Sequence, residues 1–241
     1  MVGGMKLKRI LIQGAMESEI CWYLRQPCVE DAKTESIHGF AFTRAELGDA
    51  EIILQLTKMG MTNAALATMT AIHAFEPELI INQGTAGAQV RDLRKGDIVI
   101  GSQSVHIHSL EMEKREFGEG MAPENWTGMH TEYLSADSTL LRFFMEGIGE
   151  AAPGGKVVSG ILGSGDLFSK EKDRILWLHD RFGTVSEDME TYAVYAACRA
   201  CHIPCVGIRV ISNNELLDEE FDEKSSLELQ RVIWETVRTL K

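Results

Sequence analysis

Carboxylates and carboxamides follow short apolar runs at several points of this chain. Glu17 and Glu19 come after Leu7–Gln13 and Gly14, Asp188 and Glu190 flank Met189, and Asn213 closes the run that begins at Pro204. A carboxylate can take a proton and favour a nearby cationic centre, and a carboxamide donates and accepts at once. Other chemistries lack their signatures. No segment reads as a P-loop or as G-x-G-x-x-G, so a dinucleotide site is not supported. Gly-x-Ser-x-Gly does not occur, and Gly163-Ser164-Gly165 is too short for a nucleophile elbow. Cys198, Cys201 and Cys205 have a spacing that suggests zinc, but no fourth ligand recurs nearby and their surroundings are apolar, which suits core thiols better. His106 and His108, two apart on an expected strand, would face one side, where a metal could bind. No metal and no cofactor are expected.

The elements that must position these residues alternate. Leu7–Gln13 reads as a strand and Ala15–Arg25 as a helix. His38–Leu47 and Glu51–Thr57 read as strands split by Gly48-Asp49. Thr62–Phe75 is a helix apolar almost all round, which should be buried against a sheet. Glu78–Asn82 is a strand running into a turn at Gln83-Gly84-Thr85-Ala86-Gly87. Asp97–His106 is another strand, Met112–His130 a long loop, Asp137–Ala151 a helix and Lys156–Leu162 a strand. Lys170–Arg181 and Met189–Cys201 are helices, Pro204–Ser212 is a strand, and a helical stripe runs from about Glu223 to the end. Continuous apolar strands alternating with helices predict an α/β fold with a mixed or mostly parallel central sheet. Ligands of such sheets bind outside the carboxyl ends of the strands. The segments to inspect are therefore Gly14–Glu19, Gly60–Asn63, Gly84–Gly87, Gly163–Ser169, Ser186–Glu190 and Ser212–Glu215.

The chain has 241 residues, 44% of them hydrophobic, which suits a single soluble domain over 1–241. A net charge of −12, from 36 acidic and 24 basic residues, argues against nucleic acid and anionic membranes as partners. No apolar run reaches the roughly 18 residues of a membrane span. The first twenty residues do not read as a signal peptide, because acidic residues follow a very short apolar stretch. The five cysteines, an odd number in apolar contexts, point to a reducing compartment, so a cytoplasmic location is expected.

Six segments in order carry a resemblance to a known family: Gly14-Ala15-Met16-Glu17-Ser18-Glu19, Asn82-Gln83-Gly84-Thr85-Ala86-Gly87, Gly96-Asp97-Ile98-Val99, Ser164-Gly165-Asp166-Leu167-Phe168, Asp188-Met189-Glu190 and Arg209-Val210-Ile211-Ser212-Asn213. The chain resembles the purine nucleoside phosphorylase/nucleosidase superfamily, and within it the bacterial methylthioadenosine/S-adenosylhomocysteine nucleosidases. The resemblance implies a three-layer α/β/α sandwich with a large mixed sheet and a smaller second one. It implies cleavage of the N-glycosidic bond of a ribonucleoside through a transition state with oxocarbenium character. By motif position Glu19 should hold and activate the water. Glu17, about 200° away on a helix, cannot share that face. Glu190 should accept from both ribose hydroxyls, Met189 should pack under the sugar and Phe168 should stack on the base. Thr85, Ala86 and Gly87 should line the site, with Asp188 and Arg209 among the substrate-binding residues. Each has a plainer alternative: a first-turn acid for Glu19 and Glu190, and core packing for Met189 and Phe168. His106 and His108 lie where the family borders the sugar substituent and the partner subunit, so a homodimer is expected.

The family's phosphorylases carry Arg in the first loop and before the second Gly, where a phosphate needs charge-assisted donors. Here those places hold Glu17, Glu19 and Asn82, which favours water as nucleophile. Asn213 stands where the adenine-specific nucleosidases have an Asp, and futalosine hydrolases are among the relatives with Asn there. An amide is no acid, but it suits a 6-oxopurine. The readings that follow are an oxopurine or 5′-modified purine nucleosidase, an adenine nucleosidase of the methylthioadenosine type, a phosphorylase, and a non-catalytic nucleoside-binding relative.

Overall fold

The computed structural model describes residues 9–119, 127–128, 131–151 and 155–240. Its strands are β1 (Arg9–Gly14), β2 (Thr34–Ile37), β3 (Phe40–Leu47), β4 (Ala50–Leu56), β5 (Leu79–Ala88), β6 (Ile98–His106), β7 (Leu110–Glu111), β8 (Thr127–Gly128), β9 (Tyr133–Ser135), β10 (Val157–Ser164), β11 (Thr184–Asp188) and β12 (Cys205–Asn213). The α-helices are α1 (Met61–Phe75), α2 (Ser138–Ala151), α3 (Lys172–Phe182), α4 (Thr191–Cys201) and α5 (Ser225–Val237).

Ten strands form one mixed sheet in the order β11-β10-β6-β12-β5-β1-β4-β3-β2, with β9 beside β6. The sheet curls until β11 pairs antiparallel with β5, which closes β5, β12, β6, β10 and β11 into a ring. The smaller second sheet is only the β7–β8 ladder. Side chains alternate between faces along each strand, and that alternation separates two helical layers. Ile10, Ile12, Ile52, Leu54, Leu79 and Ile81 pack with Phe144 of α2 and Val232 and Ile233 of α5. Leu11, Ile53 and Ile80, each between two of those residues, pack with Ala64, Ala67 and Ala71 of α1 and Val194 of α4. These layers are the α/β/α arrangement expected from sequence.

Three local expectations fail for identifiable reasons. Ala15–Arg25 is not an α-helix but two short 3₁₀ turns, Glu17–Glu19 and Tyr23–Arg25. The Trp22 amide there donates to Gln230, and the Ser18 and Glu19 carbonyls accept from Gln230 and Gln83, in place of a helical ladder. Gln83–Gly87 is not a turn, because β5 runs through it, paired with β12 on one side. β11, with Ser186, Glu187 and Asp188 in five residues, offers no apolar run for a sequence reading to find. Helix α1 is buried on one face only, and Leu66 on the outer one is 56% exposed. Much of the segment from Met112 to His130 lies outside the described residues.

Helix α4 is tied to the sheet by one hydroxyl. Gly101 of β6 and Gly207 of β12 are register partners. The Tyr195 hydroxyl donates to the Gly101 carbonyl at 2.9 Å and accepts from the Gly207 amide at 2.7 Å. A Cβ on Gly207 would meet Thr191 at 2.7 Å, so glycine is what lets this helix lie close.

Candidate active site

The carboxyl ends of β1, β5, β11 and β12, with the loop after β10, surround one cavity of about 450 Å³. Five of the six inspected segments reach it, through Ala15, Met16, Glu19, Thr85, Ala86, Gly87, Phe168, Asp188, Met189, Glu190 and Asn213. The sixth, Gly60–Asn63, supports it from α1: the Gly60 amide donates to Glu190 at 3.1 Å and the Met61 amide to Asp166 at 2.7 Å.

Glu19 is buried, while Glu17 points to solvent. One Glu19 oxygen accepts from the amides of Ala15 at 2.8 Å and Met16 at 3.2 Å. The other accepts from the Thr85 amide at 2.8 Å and its hydroxyl at 3.1 Å. Four donors fill the acceptor capacity of a carboxylate. Gly84 makes the approach possible, since a Cβ there would lie 2.7 Å from the carboxylate. The loop beneath is held by α5, where Gln230 and Ser226 each donate to the Ser18 carbonyl at 2.8 Å.

Glu190 sits at the head of α4, and its placement is set by Asp188. One Asp188 oxygen accepts from the Ser164 hydroxyl at 2.7 Å and from the amides of Glu190 and Thr191 at 3.0 Å. The other accepts from the Thr191 hydroxyl and from Arg209 Nε at 3.2 Å. That carboxylate is wholly enclosed and satisfied from within the chain. Arg209 does not line the cavity. It is buried behind it, donating to the Asn82 carbonyl and side chain and lying 3.8 Å from Glu190. It is therefore placed to position carboxylates, not to touch a ligand.

Burial pushes the Glu190 carboxyl up to about 8, and the charges of Asp188 and Glu19 add to the rise. Arg209 and the Gly60 amide pull the other way without overcoming it. Glu19 and Glu190 line the same cavity.

At the other end stands Asn213, 2% exposed. Its oxygen accepts from the Ser212 hydroxyl at 3.0 Å, and its nitrogen donates to Glu215 at 3.2 Å. An ionised Glu215 only accepts, so it requires the amide nitrogen on its side. The cavity's outer edge is aromatic, with Phe168 and Phe221 edge-to-face at 6.3 Å and Lys170 Nζ 5.6 Å over the Phe168 ring.

His106 and His108 do not share a strand face, because β6 ends at His106. Their rings are 6.4 Å apart, and neither lines the cavity. His108 packs against Gly165, where a Cβ would meet the ring at 2.6 Å, and burial, with the positive charge of Arg174, lowers it to about 4. Among the described residues no group of three or more His, Cys, Asp or Glu could hold a metal. Cys198 and Cys205 are buried together, and their mutual hydrogen bond, with burial, raises the Cys198 thiol. Sequence reasoning missed Gln89, Lys170, Ile175 and Phe221, which also line the cavity and belong to no motif of the resemblance, and it placed Glu187 in the segment Ser186–Glu190 without giving it a role.

The chain belongs to the phosphorylase superfamily, whose family model matches residues 9–238. It is 29% identical over 239 residues to a 5′-methylthioadenosine/S-adenosylhomocysteine nucleosidase of Bacillus thuringiensis (strain Al Hakam), covering 97% of this chain and 100% of that one. A futalosine hydrolase mutant of Helicobacter pylori superposes with a TM-score of 0.81 at 26% identity. A methylthioadenosine/S-adenosylhomocysteine nucleosidase of Neisseria meningitidis, bound to methylthio-immucillin-A, does so with 0.80 at 28%. Both cover 97% of this chain and 100% of theirs.

The Glu190 shift has a consequence for stability. The folded chain keeps this proton up to about pH 8, whereas the unfolded chain releases it near 4.5. Its contribution is fully present below pH 4.5 and is lost as pH rises to 8. Urea unfolding should show the wild type losing up to about 1.4 kcal/mol per pH unit relative to Glu190→Gln across this window. Parallel curves would remove the assignment.

Proposed function

We propose that this chain, acting as one domain, hydrolyses the N-glycosidic bond of a purine ribonucleoside and prefers a 6-oxopurine base. The observation that carries the reading is Glu19, a buried carboxylate held by three backbone amides, sharing a cavity with Glu190.

Glu190 accepts from the 2′- and 3′-hydroxyls, and those donors favour its charged form. Met189 packs under the sugar, and Phe168 covers the base. The Thr85 hydroxyl rotates away from Glu19, and a water takes its place beside the carboxylate. As the bond between C1′ and the base stretches, positive charge grows on the ribose, where Glu19 and Glu190 lower its energy. The water attacks C1′ and gives its proton to Glu19. The bonding pair leaves on the purine, where an Asn213 N–H offsets the charge; the base takes one proton from solvent, and Glu19 returns to solvent the one it took from the water.

Water is favoured over phosphate because Lys170 is the only cationic side chain among the described lining residues, and it lies over Phe168 at the base end. A phosphate beside Glu19 would meet acceptors. The methylthioadenosine named for the relatives supports a substrate modified at the 5′ position. The outer face of α1, where Leu66 is exposed, suits a homodimer contact. No described helix is long and apolar enough to cross a membrane, and a cytoplasmic location fits the free cysteines.

Glu19→Gln should lower kcat by about 10² or more, measured well below its thermal midpoint and without phosphate. Its midpoint should fall by a few degrees, because the new NH₂ faces backbone donors. Unchanged turnover would exclude Glu19 as the base. Light scattering at micromolar concentration should give twice the chain mass, and a monomer would remove the dimer.

Asn213 sets the base preference. Its nitrogen, fixed by Glu215, donates towards O6, whereas a 6-amino group would bring donor against donor. One buried mismatch costs about 1–3 kcal/mol, or about 5- to 150-fold in kcat/KM. Asn213→Asp should shift preference towards adenine nucleosides carrying the same 5′ group. A wild-type preference for adenine above tenfold would return the chain to the methylthioadenosine class.

A further inference from the structure

Asp166 takes no part in the proposed reaction and does not line the cavity. It stands in the loop after β10, just before Leu167 and Phe168, which do line it. Its side chain is exposed, yet it reaches across 105 residues of sequence to the head of α1, where one oxygen accepts from the Met61 amide at 2.7 Å. That amide is among the donors left unpaired at the start of a helix. The N-cap of α1 is Gly60, which has no side chain to satisfy it. Asp166 is therefore the cap, supplied from a distant loop, and its charge suits the positive end of the helix dipole.

The cap bears on Glu190 through a single residue. Gly60, immediately before Met61, donates its own amide to one Glu190 oxygen at 3.1 Å. Its φ is +98°, and a Cβ on it would lie 3.1 Å from the Asp166 carboxylate, so glycine is what lets that carboxylate rest on the turn. Asp166 is braced from behind: the Gly165 amide donates to the Asp188 carbonyl at 3.0 Å, and the His108 ring packs on Gly165. The other Glu190 oxygen accepts from the Met189 amide at 3.3 Å and lies 3.8 Å from Arg209. Each oxygen is thus anchored and keeps acceptor capacity. A carboxylate anchored at both oxygens meets two adjacent hydroxyls at once. Anchored at one, it rotates to follow whichever donor is present, and the second hydroxyl loses its advantage.

We propose that Asp166 is the positioning residue that makes this site select ribose over 2′-deoxyribose: by capping α1 it fixes the Gly60 amide, and through that amide the Glu190 carboxylate. The proposal rests on the nucleosidase reading, with Glu190 at the sugar, and names what holds that carboxylate in place. Asp166 itself touches no substrate.

The test measures kcat/KM for the 5′-methylthio derivatives of adenosine and inosine, each against its 2′-deoxy counterpart, on the full-length wild type, Asp166→Ala and Asp166→Asn. The readout is the ratio of ribo to deoxy for the better base. The intrinsic reactivities of the two sugars cancel when that ratio is compared between variants. Asp166→Ala should lower it about 3- to 10-fold, the worth of one loosened hydrogen bond, mainly by raising KM for the ribonucleoside. Asp166→Asn, which keeps an oxygen for the Met61 amide, should recover most of that loss. Equal losses on both sugars would mean that Asp166 only supports the fold and would overturn the proposal, as would an unmoved ratio or an Asn variant no better than Ala. If Asp166→Ala does not fold, Asp166→Ser, whose shorter side chain stops short of the Met61 amide, takes its place with the same expectation. The wild type tests the underlying reading separately. If it cleaves none of the four, the nucleosidase falls and this proposal with it; if it cleaves them without preferring ribose, Glu190 loses its place at the sugar and Asp166 its role. If the wild type prefers ribose and the ratio ignores Asp166, only this proposal falls.

Discussion

A guanidinium taken out of water must find acceptors for its N–H groups, and Arg209, 1% exposed at the centre of the sheet, sets that demand for the whole site. Asn82 of β5 supplies two acceptors and Asp188 of β11 a third. Asp188 in turn takes the Ser164 hydroxyl from the end of β10 and the first amides of α4. Four strands and a helix are thus locked around one buried cation. Breaking the pair would leave an uncompensated charge, and such losses typically reach about 3–5 kcal/mol. Glu190 sits two residues past Asp188, so its place and its raised proton affinity are both consequences of this arrangement. Arg209 keeps it within 3.8 Å of a positive charge while burial and two carboxylates oppose ionisation.

The opposite wall depends on missing side chains. Glu19 approaches β5 because Gly84 has no Cβ, and Gly14 allows the chain to turn past Ile20, which a Cβ there would meet at 2.8 Å. Gly87 keeps the floor flat under the base end. Within one strand, Gly84 therefore makes room for a carboxylate and Gly87 leaves space beside Asn213, while Thr85 between them supplies two donors to Glu19.

This arrangement explains what could be read from the sequence. The two-faced sheet was legible because Ile10, Leu11 and Ile12 form a continuous apolar run, the pattern of a strand covered on both sides. The loops at strand ends were legible for the same reason. Gln83–Gly87 misled because glycine signals a turn and a close approach equally, and only the register with β12 separates them. Ala15–Arg25 misled because its composition suits a helix, while distant side chains took the groups of its ladder: Gln230 accepts from the Trp22 amide and donates to the Ser18 carbonyl, and Gln83 donates to the Glu19 carbonyl. Arg209 was found by motif but its role was not, because no spacing tells a ligand-binding arginine from one that faces inward. Gln89 left no signal, and Glu187 none beyond its place in Ser186–Glu190, since the two meet only when β11 curls round to pair with β5.

That closure separates the site into two parts with different freedom. The sugar and water end is held by Arg209, Asp188 and backbone amides, and a change there would disturb the ion pair or the sheet ladder. The base end is built from the side chains of Asn213, Glu215, Glu187, Gln89 and Ser169, which bond mainly to one another. On the proposed function, substituting one of them would alter which edge of a purine is matched without touching the buried cation. On that reading a chain keeps Glu19 and Glu190 for the sugar and still changes the base it accepts through Asn213.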